Sequence, residues 1–389
     1  GLLLFWNEGV HVGLHLNHHG SNIAVLGPNG VPLVLQLHSC VCCAYEKGQY
    51  RIRTTARVNK HNRCADKAWS RLSEIATKEW GWQYTVETIT SAPQVFDMQL
   101  ADLYPNNVPT FAITHANAHA CHAFWDSPFQ SAVLMMLDGG YKGEGSCFVF
   151  LAKYNASGFM VFDLLKACEL RTVSWRRKGM LGLEPKEEAG RRDMFHACDV
   201  LMDYSLLGSA KADLADAAAN DDVPKDLESR IKRNPALARD WMATVQSHLE
   251  QQVLAELRAV QNVMRDVDGI IMTGGVAFNW LLNTRIRRTF GKPLHVPSDP
   301  GDSALSAGML LCRSAQRSRG PHPFLGPSLA SRGKNVPRAW QNASSTAVAR
   351  LLNLGKPVAV LRGRGVTGHR KLGHASVIAI PSETNYATL

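Results

Sequence analysis

The sequence predicts an α/β fold, and three observations carry that reading. First, the short apolar segments Val12–Asn17, Asn22–Leu26 and Pro32–Leu37 are separated by His18-His19-Gly20-Ser21 and by Pro28-Asn29-Gly30. Asn-Gly between apolar runs is a hairpin signal, so these read as an antiparallel meander. Second, the apolar runs Ala132–Leu137 and Asp268–Met272 end in Asp138-Gly139-Gly140 and in Thr273-Gly274-Gly275. Buried strands that end in such turns present them at the carboxyl end, where α/β proteins bind ligands. Third, helical patterns alternate with the strands, as at Asp66–Lys78, Ala197–Asp216 and Leu237–Asp266.

At 389 residues the chain is long enough for two or three domains. Hydrophobic content of 45% and charged content of 20% describe a globular protein rather than a disordered one. The formal charge of +10 suits an anionic partner, but the basic residues are dispersed and lack interleaved aromatics, which argues against nucleic acid. Anionic small molecules are expected instead. The nine Cys have no regular spacing, which predicts no disulfide framework and a cytoplasmic or other reducing compartment. No apolar run reaches the roughly 18–20 residues of a membrane span. The opening Gly1-Leu2-Leu3-Leu4-Phe5-Trp6 lacks Met and a basic flank, so it reads as a cut end and not as a signal peptide.

A meander followed by helix and strand is how each half of an actin-like nucleotide-binding domain begins. Its first turn, His18 to Ser21, would then approach a phosphate. Residues 40–62, rich in Cys, Arg and Lys, give no clear reading. Val108–Ile113 is a predicted strand leading into the helix that bears His115 and His119. Cys147–Leu151 and Phe159–Phe162 continue a second meander, and Arg171–Arg192 reads as an excursion. Thr273-Gly274-Gly275, between a strand and a helix running through Asn283, is a generic phosphate cradle, because helix-start N–H groups favour an anion. Leu294–Val296 is a further strand, before a helix at Ser303–Arg313. A Gly/Pro/Ser/Arg-rich linker at Ser314–Arg338 marks a domain boundary. Beyond it come a helix at Thr346–Leu354 and strands at Pro357–Leu361 and Val377–Ile380.

His115 and His119 stand four residues apart in an Ala-rich helical run. That spacing puts both imidazoles on one face, one turn apart, which suits a metal ion as well as an ordinary buried pair. The zincin alternative is poor, since Ala116 stands where HExxH needs Glu. His122 continues the face, as a third ligand or as a neighbour. Asp302 falls at or near the start of the helix that follows it, where it can cap that helix or complete the two histidines. Two His and one carboxylate form the facial set associated with Fe(II), and Zn or Mn also fit it.

These motifs, in this order, resemble the O-carbamoyltransferases of nodulation-factor and antibiotic biosynthesis. HHGSNIAVL is similar to the family's opening HDAS turn. His115-x-x-x-His119-Ala, continuing to Ala123-Phe124 and Ser127-Pro128-Phe129, resembles HHLAHAASAFxxSPF, and Asp138-Gly139 matches the DG that follows. TGGVAFNWLLN resembles GGVALNxxxN, GDSALSAGM the GDxGxxxGAA segment, and Phe324-Leu325-Gly326-Pro327 a YLGP linker. The tail from Gly363 resembles GRxExGPRALGxRS.

The resemblance implies an actin-like domain over 1–328, two-lobed, with duplicated RNase H-like meander and helix halves. It is akin to the tRNA threonylcarbamoyladenosine enzyme. Residues 329–389 would be a linker and the truncated start of an α/β YrdC-like module. In the family, the YrdC-like part makes carbamoyladenylate from carbamoyl phosphate and ATP, and the actin-like part passes the carbamoyl group to a substrate hydroxyl. By motif position His115, His119 and Asp302 would hold iron or another divalent metal. Asp138, Gly139, Gly274, Gly275 and Asn279 would contact the nucleotide. His18 would be the general base, and Arg364 and Arg370 would meet carbamoyl phosphate. Several positions depart from the pattern. His19 replaces Asp, Ala304 replaces Gly, His122 replaces Ser, and in the tail Val366, His369, Lys371 and Ala375 stand for Glu, Pro, Ala and Arg. Those tail changes predict a weakened first half-reaction. The alternatives are a catalytically degenerate nucleotide-binding scaffold of the same fold and an actin-like sugar kinase, which would have no need of the His pair.

Overall fold

The computed structural model describes residues 8–15, 22–26, 30–36, 44–46, 49–51, 84–91, 109–138, 147–168, 170, 202–219, 223–313, 324–329, 342–368 and 374–388. They fall into two compact units. The first comprises residues 1–122, 297–316 and 320–389, and the second 123–296 with 317–319.

In the first unit, β1 (Glu8–His15), β2 (Asn22–Leu26) and β3 (Pro32–Gln36) form the expected antiparallel meander. A small hairpin, β4 (Ala44–Glu46) and β5 (Gln49–Arg51), is a separate pair. β6 (Tyr84–Ser91) lies parallel to β1, and β7 (Thr110–Ala112) parallel to β6, giving the order β3-β2-β1-β6-β7. Val12, Leu14, Ile23, Leu33 and Ile89 are fully buried in this sheet, which explains why its strands read as apolar runs.

Helix α1 (His115–Asp126) leads out of β7 toward β8 (Ser131–Leu137). In the second unit, β9 (Cys147–Tyr154) and β10 (Met160–Cys168) complete a second antiparallel meander with β8. After the short α2 (Ala215–Ala219) and α3 (Lys225–Arg233) comes the long α4 (Pro235–Ala259), then the single turn α5 (Gln261–Met264). β11 (Gly269–Thr273) enters parallel to β8, α6 (Trp280–Phe290) follows, and β12 (Leu294–His295) pairs parallel to β11. The order β10-β9-β8-β11-β12 repeats the first sheet, antiparallel and parallel pairings included. α4 and α6 cover this sheet with Leu249, Val253, Leu257, Leu282 and Ile286 against Val133, Met135, Ile270 and Met272.

The remaining elements belong to the first unit: α7 (Leu305–Leu311), α8 (Ser345–Asn353), the hairpin β13 (Val358–Leu361) and β14 (Ala375–Ile378), and α9 (Glu383–Thr388). The tail elements expected from the sequence are present within a residue or two. Among the described residues, no helix is long and apolar enough to cross a membrane.

Several expectations are corrected. The helix expected over Ala197–Asp216 is broken: residues 202–206 are helical, and the chain re-enters a helix only at a 3₁₀ turn, Ala212–Leu214. The backbone between them bonds to α4 instead, Ser209 N–H donating to Asp240 Oδ1 and Lys211 N–H to Thr244 Oγ1. The helix expected over Leu237–Asp266 is interrupted at Val260, whose φ of −112° and ψ of 17° lie outside helical values. Cysteine spacing also misled. Cys121–Cys312 and Cys147–Cys168 form disulfides, because the fold brings together partners 191 and 21 residues apart. For these four the premise for a reducing compartment falls. The segments Asp66–Lys78 and Arg171–Arg192 lie outside the described residues, as do His18, Gly139 and Arg370.

Candidate functional site

Thr114 starts α1, its Oγ1 accepting from Asn117 N–H at 3.1 Å, as an N-cap residue does. The first turn therefore begins at His115, with His119 directly above. Their Nε2 atoms lie 3.1 Å apart. Asp302 opens a 3₁₀ turn, Asp302–Ala304, that runs into α7. That turn has no side-chain cap, so the capping role open to Asp302 is not taken up. Its Oδ1 instead faces His115 Nε2 and His119 Nε2, at 3.4 Å from each.

Two glycines allow this meeting. A Cβ on Gly308 of α7 would lie 2.0 Å from the Ala118 carbonyl oxygen of α1, and one on Gly13 of β1 would lie 1.8 Å from the Ser306 carbonyl oxygen. No larger residue fits either place, so α7 sits tightly against both the His-bearing helix and the first strand. Ala118, Leu305 and Met309, with Ile113, form the apolar packing beside the side chains of His115, His119 and Asp302. The disulfide between Cys121 and Cys312 ties the same two helices near their far ends.

His115, His119 and Asp302 are all buried, and their donor atoms group as metal ligands do. Separations of 3.1–3.4 Å are what bonds of about 2.0–2.2 Å to one ion leave between ligands at near-tetrahedral or octahedral angles. The residues present therefore fit a divalent transition metal. His122 is buried on the same helix but stands outside this group.

Asp299, three residues before Asp302, is fully buried, and burial pushes its carboxyl up to about 7. The Thr367 hydroxyl and the Gly301 N–H pull in the opposite direction, and the Asp302 charge adds to the rise. Gly368 packs directly on it: a Cβ there would lie 3.0 Å from Asp299 Cγ. In the sequence Asp299 carries no signal beyond its place in the run Asp299-Pro300-Gly301-Asp302.

The second unit holds the other group of expected residues. Asp138 ends β8, and its Oδ1 accepts from Gly275 N–H at 3.3 Å. β8 and β11 are parallel neighbours, with Thr273 opposite Met136, so their carboxyl ends lie side by side. Gly274 joins them at φ 89°, a left-handed value that favours glycine. A Cβ there would also lie 2.3 Å from the Leu137 carbonyl oxygen. Asn279 caps α6, its Oδ1 accepting from Leu282 N–H at 3.0 Å. Its amide also pairs with Gln246 of α4, which accepts from Asn279 Nδ2 at 2.8 Å and donates back at 3.3 Å. Gln246 gave no signal in the sequence. In the tail of the first unit, the Arg364 guanidinium donates to the carbonyls of Gly326, Pro32 and Leu325, which ties the tail to β3 and to the Phe324–Pro327 linker.

No protein-family model matches the chain. The curated protein NolNO, a nodulation protein of Sinorhizobium fredii, is 25% identical over 303 residues, covering 69% of this chain and 43% of that protein. Nodulation protein NolO of Bradyrhizobium diazoefficiens is 26% identical over 306 residues, covering 69% and 53%. Nodulation protein U of Sinorhizobium fredii is 32% identical over 160 residues, covering 39% and 28%. The chain is related to these nodulation proteins. That bears out the resemblance to nodulation proteins read from the motifs. The chain spans about half, or less, of the length of the relatives it matches. Among solved structures, full-length HypF in its phosphate- and nucleotide-bound form aligns over 80% of this chain and 56% of its own, at 10% identity and a TM-score of 0.44. The activator of the 2-hydroxyisocaproyl-CoA dehydratase from Clostridium difficile aligns over 78% and 93%, at 12% identity and a TM-score of 0.36.

Proposed function

We propose that this chain is the carbamoyl-transfer part of an O-carbamoyltransferase. The observation that carries this is the convergence of His115, His119 and Asp302 on one buried point, in a chain related to the nodulation proteins. The repeated strand order of the two sheets supports an actin-like division over 1–328, with 329–389 as the start of a YrdC-like module. In this reading the substrates are small molecules: carbamoyladenylate, made from carbamoyl phosphate and ATP, and a hydroxylated natural product or sugar-like acceptor.

The roles follow from chemistry. His115, His119 and Asp302 would hold the divalent metal, iron by the donor set, and a bound metal would supply Lewis-acid charge to the adenylate phosphate. The backbone N–H groups after Gly274, with Asp138 orienting the Gly275 turn, would receive the nucleotide. Gly139 and Asn279 would border it. His18 would take the proton of the acceptor hydroxyl as its oxygen attacks the carbamoyl carbon. The new C–O bond forms as the bond to the AMP phosphate breaks, and AMP leaves with the charge. Arg364 and Arg370 would serve carbamoyl phosphate in the preceding step.

The test divides the half-reactions. Metal-loaded protein given preformed carbamoyladenylate and a polyhydroxylated acceptor should release AMP and carbamoylate the acceptor. The same protein given ATP and carbamoyl phosphate should not form the adenylate. Absence of transfer from the preformed adenylate, across a panel of acceptors, would overturn the reading.

A further inference from the structure

The carboxylate of Asp302 faces two ways. Oδ1 looks at the histidine pair, while Oδ2 lies 3.9 Å from Nε2 of His15, a residue of β1 that is 1% exposed. The His15 ring also meets the His115 ring edge-on, at 5.9 Å and 61°. Directly across the β1–β2 ladder from His15 stands Asn22, and cross-strand partners share a face of the sheet. Asn22 is fully buried, and it grips the backbone of the same aspartate: Nδ2 donates to the Asp302 carbonyl at 2.8 Å, and Oδ1 accepts from Ser306 N–H at 2.9 Å. The first hairpin thus brings two buried polar side chains to one residue of α7's approach, one on its carboxylate and one on its main chain.

Burying an imidazole at the end of an apolar strand is unfavourable unless a polar partner repays the lost hydration. Among the described residues, the far oxygen of Asp302 is one such polar group, 3.9 Å from His15 Nε2. Ligating carboxylates are commonly held in this way by a second group, which fixes the oxygen that binds and tunes its basicity. From its present separation, a shift of about 1 Å makes the contact a direct hydrogen bond.

We infer that His15 is a positioning residue for the metal site: it holds Oδ2 of Asp302 so that Oδ1 is aimed between His115 and His119. This rests on the metal reading given above. His15 needs no contact with substrate, and its effect belongs to the affinity of the site for the ion.

The experiment is Co(II) titration of the full chain, followed by the visible absorption of the bound ion and by competition with a chelator. The wild-type protein, His15→Ala and His15→Gln are compared, with thermal melts of each metal-free protein. His15→Ala should weaken Co(II) binding by about 10–100-fold, the usual effect of losing an outer partner of a ligand. His15→Gln keeps an N–H donor of similar reach and should recover most of the affinity, with the absorption band restored. Equal affinity in wild type and His15→Ala would overturn the inference while leaving the metal site standing. Loss in both variants alike, with the metal-free melts unchanged, would also overturn it, since His15 would then act as a ligand itself. Should His15→Ala fail to fold, wild type against His15→Gln decides: a Gln variant within a few-fold of wild type supports positioning, and a larger loss refutes it. Failure of the wild-type protein to bind Co(II) at all would bring down the metal reading and this inference together.

Discussion

Asn22 and Asp302 are 280 residues apart in the chain and are joined by a 2.8 Å hydrogen bond from the Asn22 amide to the Asp302 carbonyl. The same side chain accepts from Ser306 N–H, so a single amide fixes the turn that delivers the Asp302 carboxylate to the histidine pair. Asn22→Leu leaves a buried carbonyl and a buried N–H without this partner. We expect it to destabilise the protein by about 2–6 kcal/mol, from the usual penalty of about 1–3 kcal/mol for each of the two orphaned groups. Urea unfolding measures this. A variant within about 0.5 kcal/mol of wild type would mean that the turn finds other partners.

The histidine pair makes a stoichiometric prediction. Purified protein should bind about one equivalent of a divalent transition metal, with iron favoured when it is handled without oxygen. His115→Ala with His119→Ala should abolish this. Elemental analysis of wild type and double mutant decides, and equal metal content in the two would remove the site.

Gly275 lies close against Asp138, a Cβ on it falling 3.0 Å from Asp138 Oδ1. Gly275→Asp should therefore expel the Asp138 carboxylate and add a like charge where a phosphate is expected. Calorimetric titration of wild type with ATP or AMP should detect binding, and the variant should lose at least about tenfold in affinity, near 1.4 kcal/mol. If the intact, metal-loaded protein has no measurable affinity for either nucleotide, the assignment of this turn to a phosphate is wrong.

Asp299 makes stability depend on pH in the direction opposite to a salt-bridged aspartate. Its folded pKa is raised to about 7 from 3.8, so the folded chain keeps a proton that the unfolded chain has released. Its contribution is full below about pH 4 and is lost as pH rises through about 7. Metal-free wild type should melt at a lower temperature near pH 8 than near pH 5, and Asp299→Asn, which stays neutral, should flatten that slope. Melting curves for the two proteins across this range check it. Identical slopes would mean that Asp299 is ionised in the folded protein at neutral pH.

How legible was this protein in its sequence? Apolar runs and Asn-Gly turns located β1 to β3 and β8 to within a few residues, because strands buried on both faces must be apolar nearly throughout. The four-residue spacing of His115 and His119 put them on one helical face, because the period of the α-helix requires it. What misled was tertiary. The helix expected over Ala197–Asp216 is broken where Ser209 and Lys211 give their N–H groups to Asp240 and Thr244 of α4, partners that no local pattern announces. Cys121 and Cys312 looked unpaired for the same reason.

The sequence by itself determined the helical face that His115 and His119 share and the order of most of the elements, since periodicity, turn preference and motif order are local properties of the chain. Only the tertiary structure decided how they meet. Gly13 and Gly308 admit α7 between β1 and α1, and His15 and Asn22 grip Asp302 from the first hairpin. Contacts across some 190–290 residues of chain depend on which backbones can approach one another, and an absent Cβ is what permits that approach.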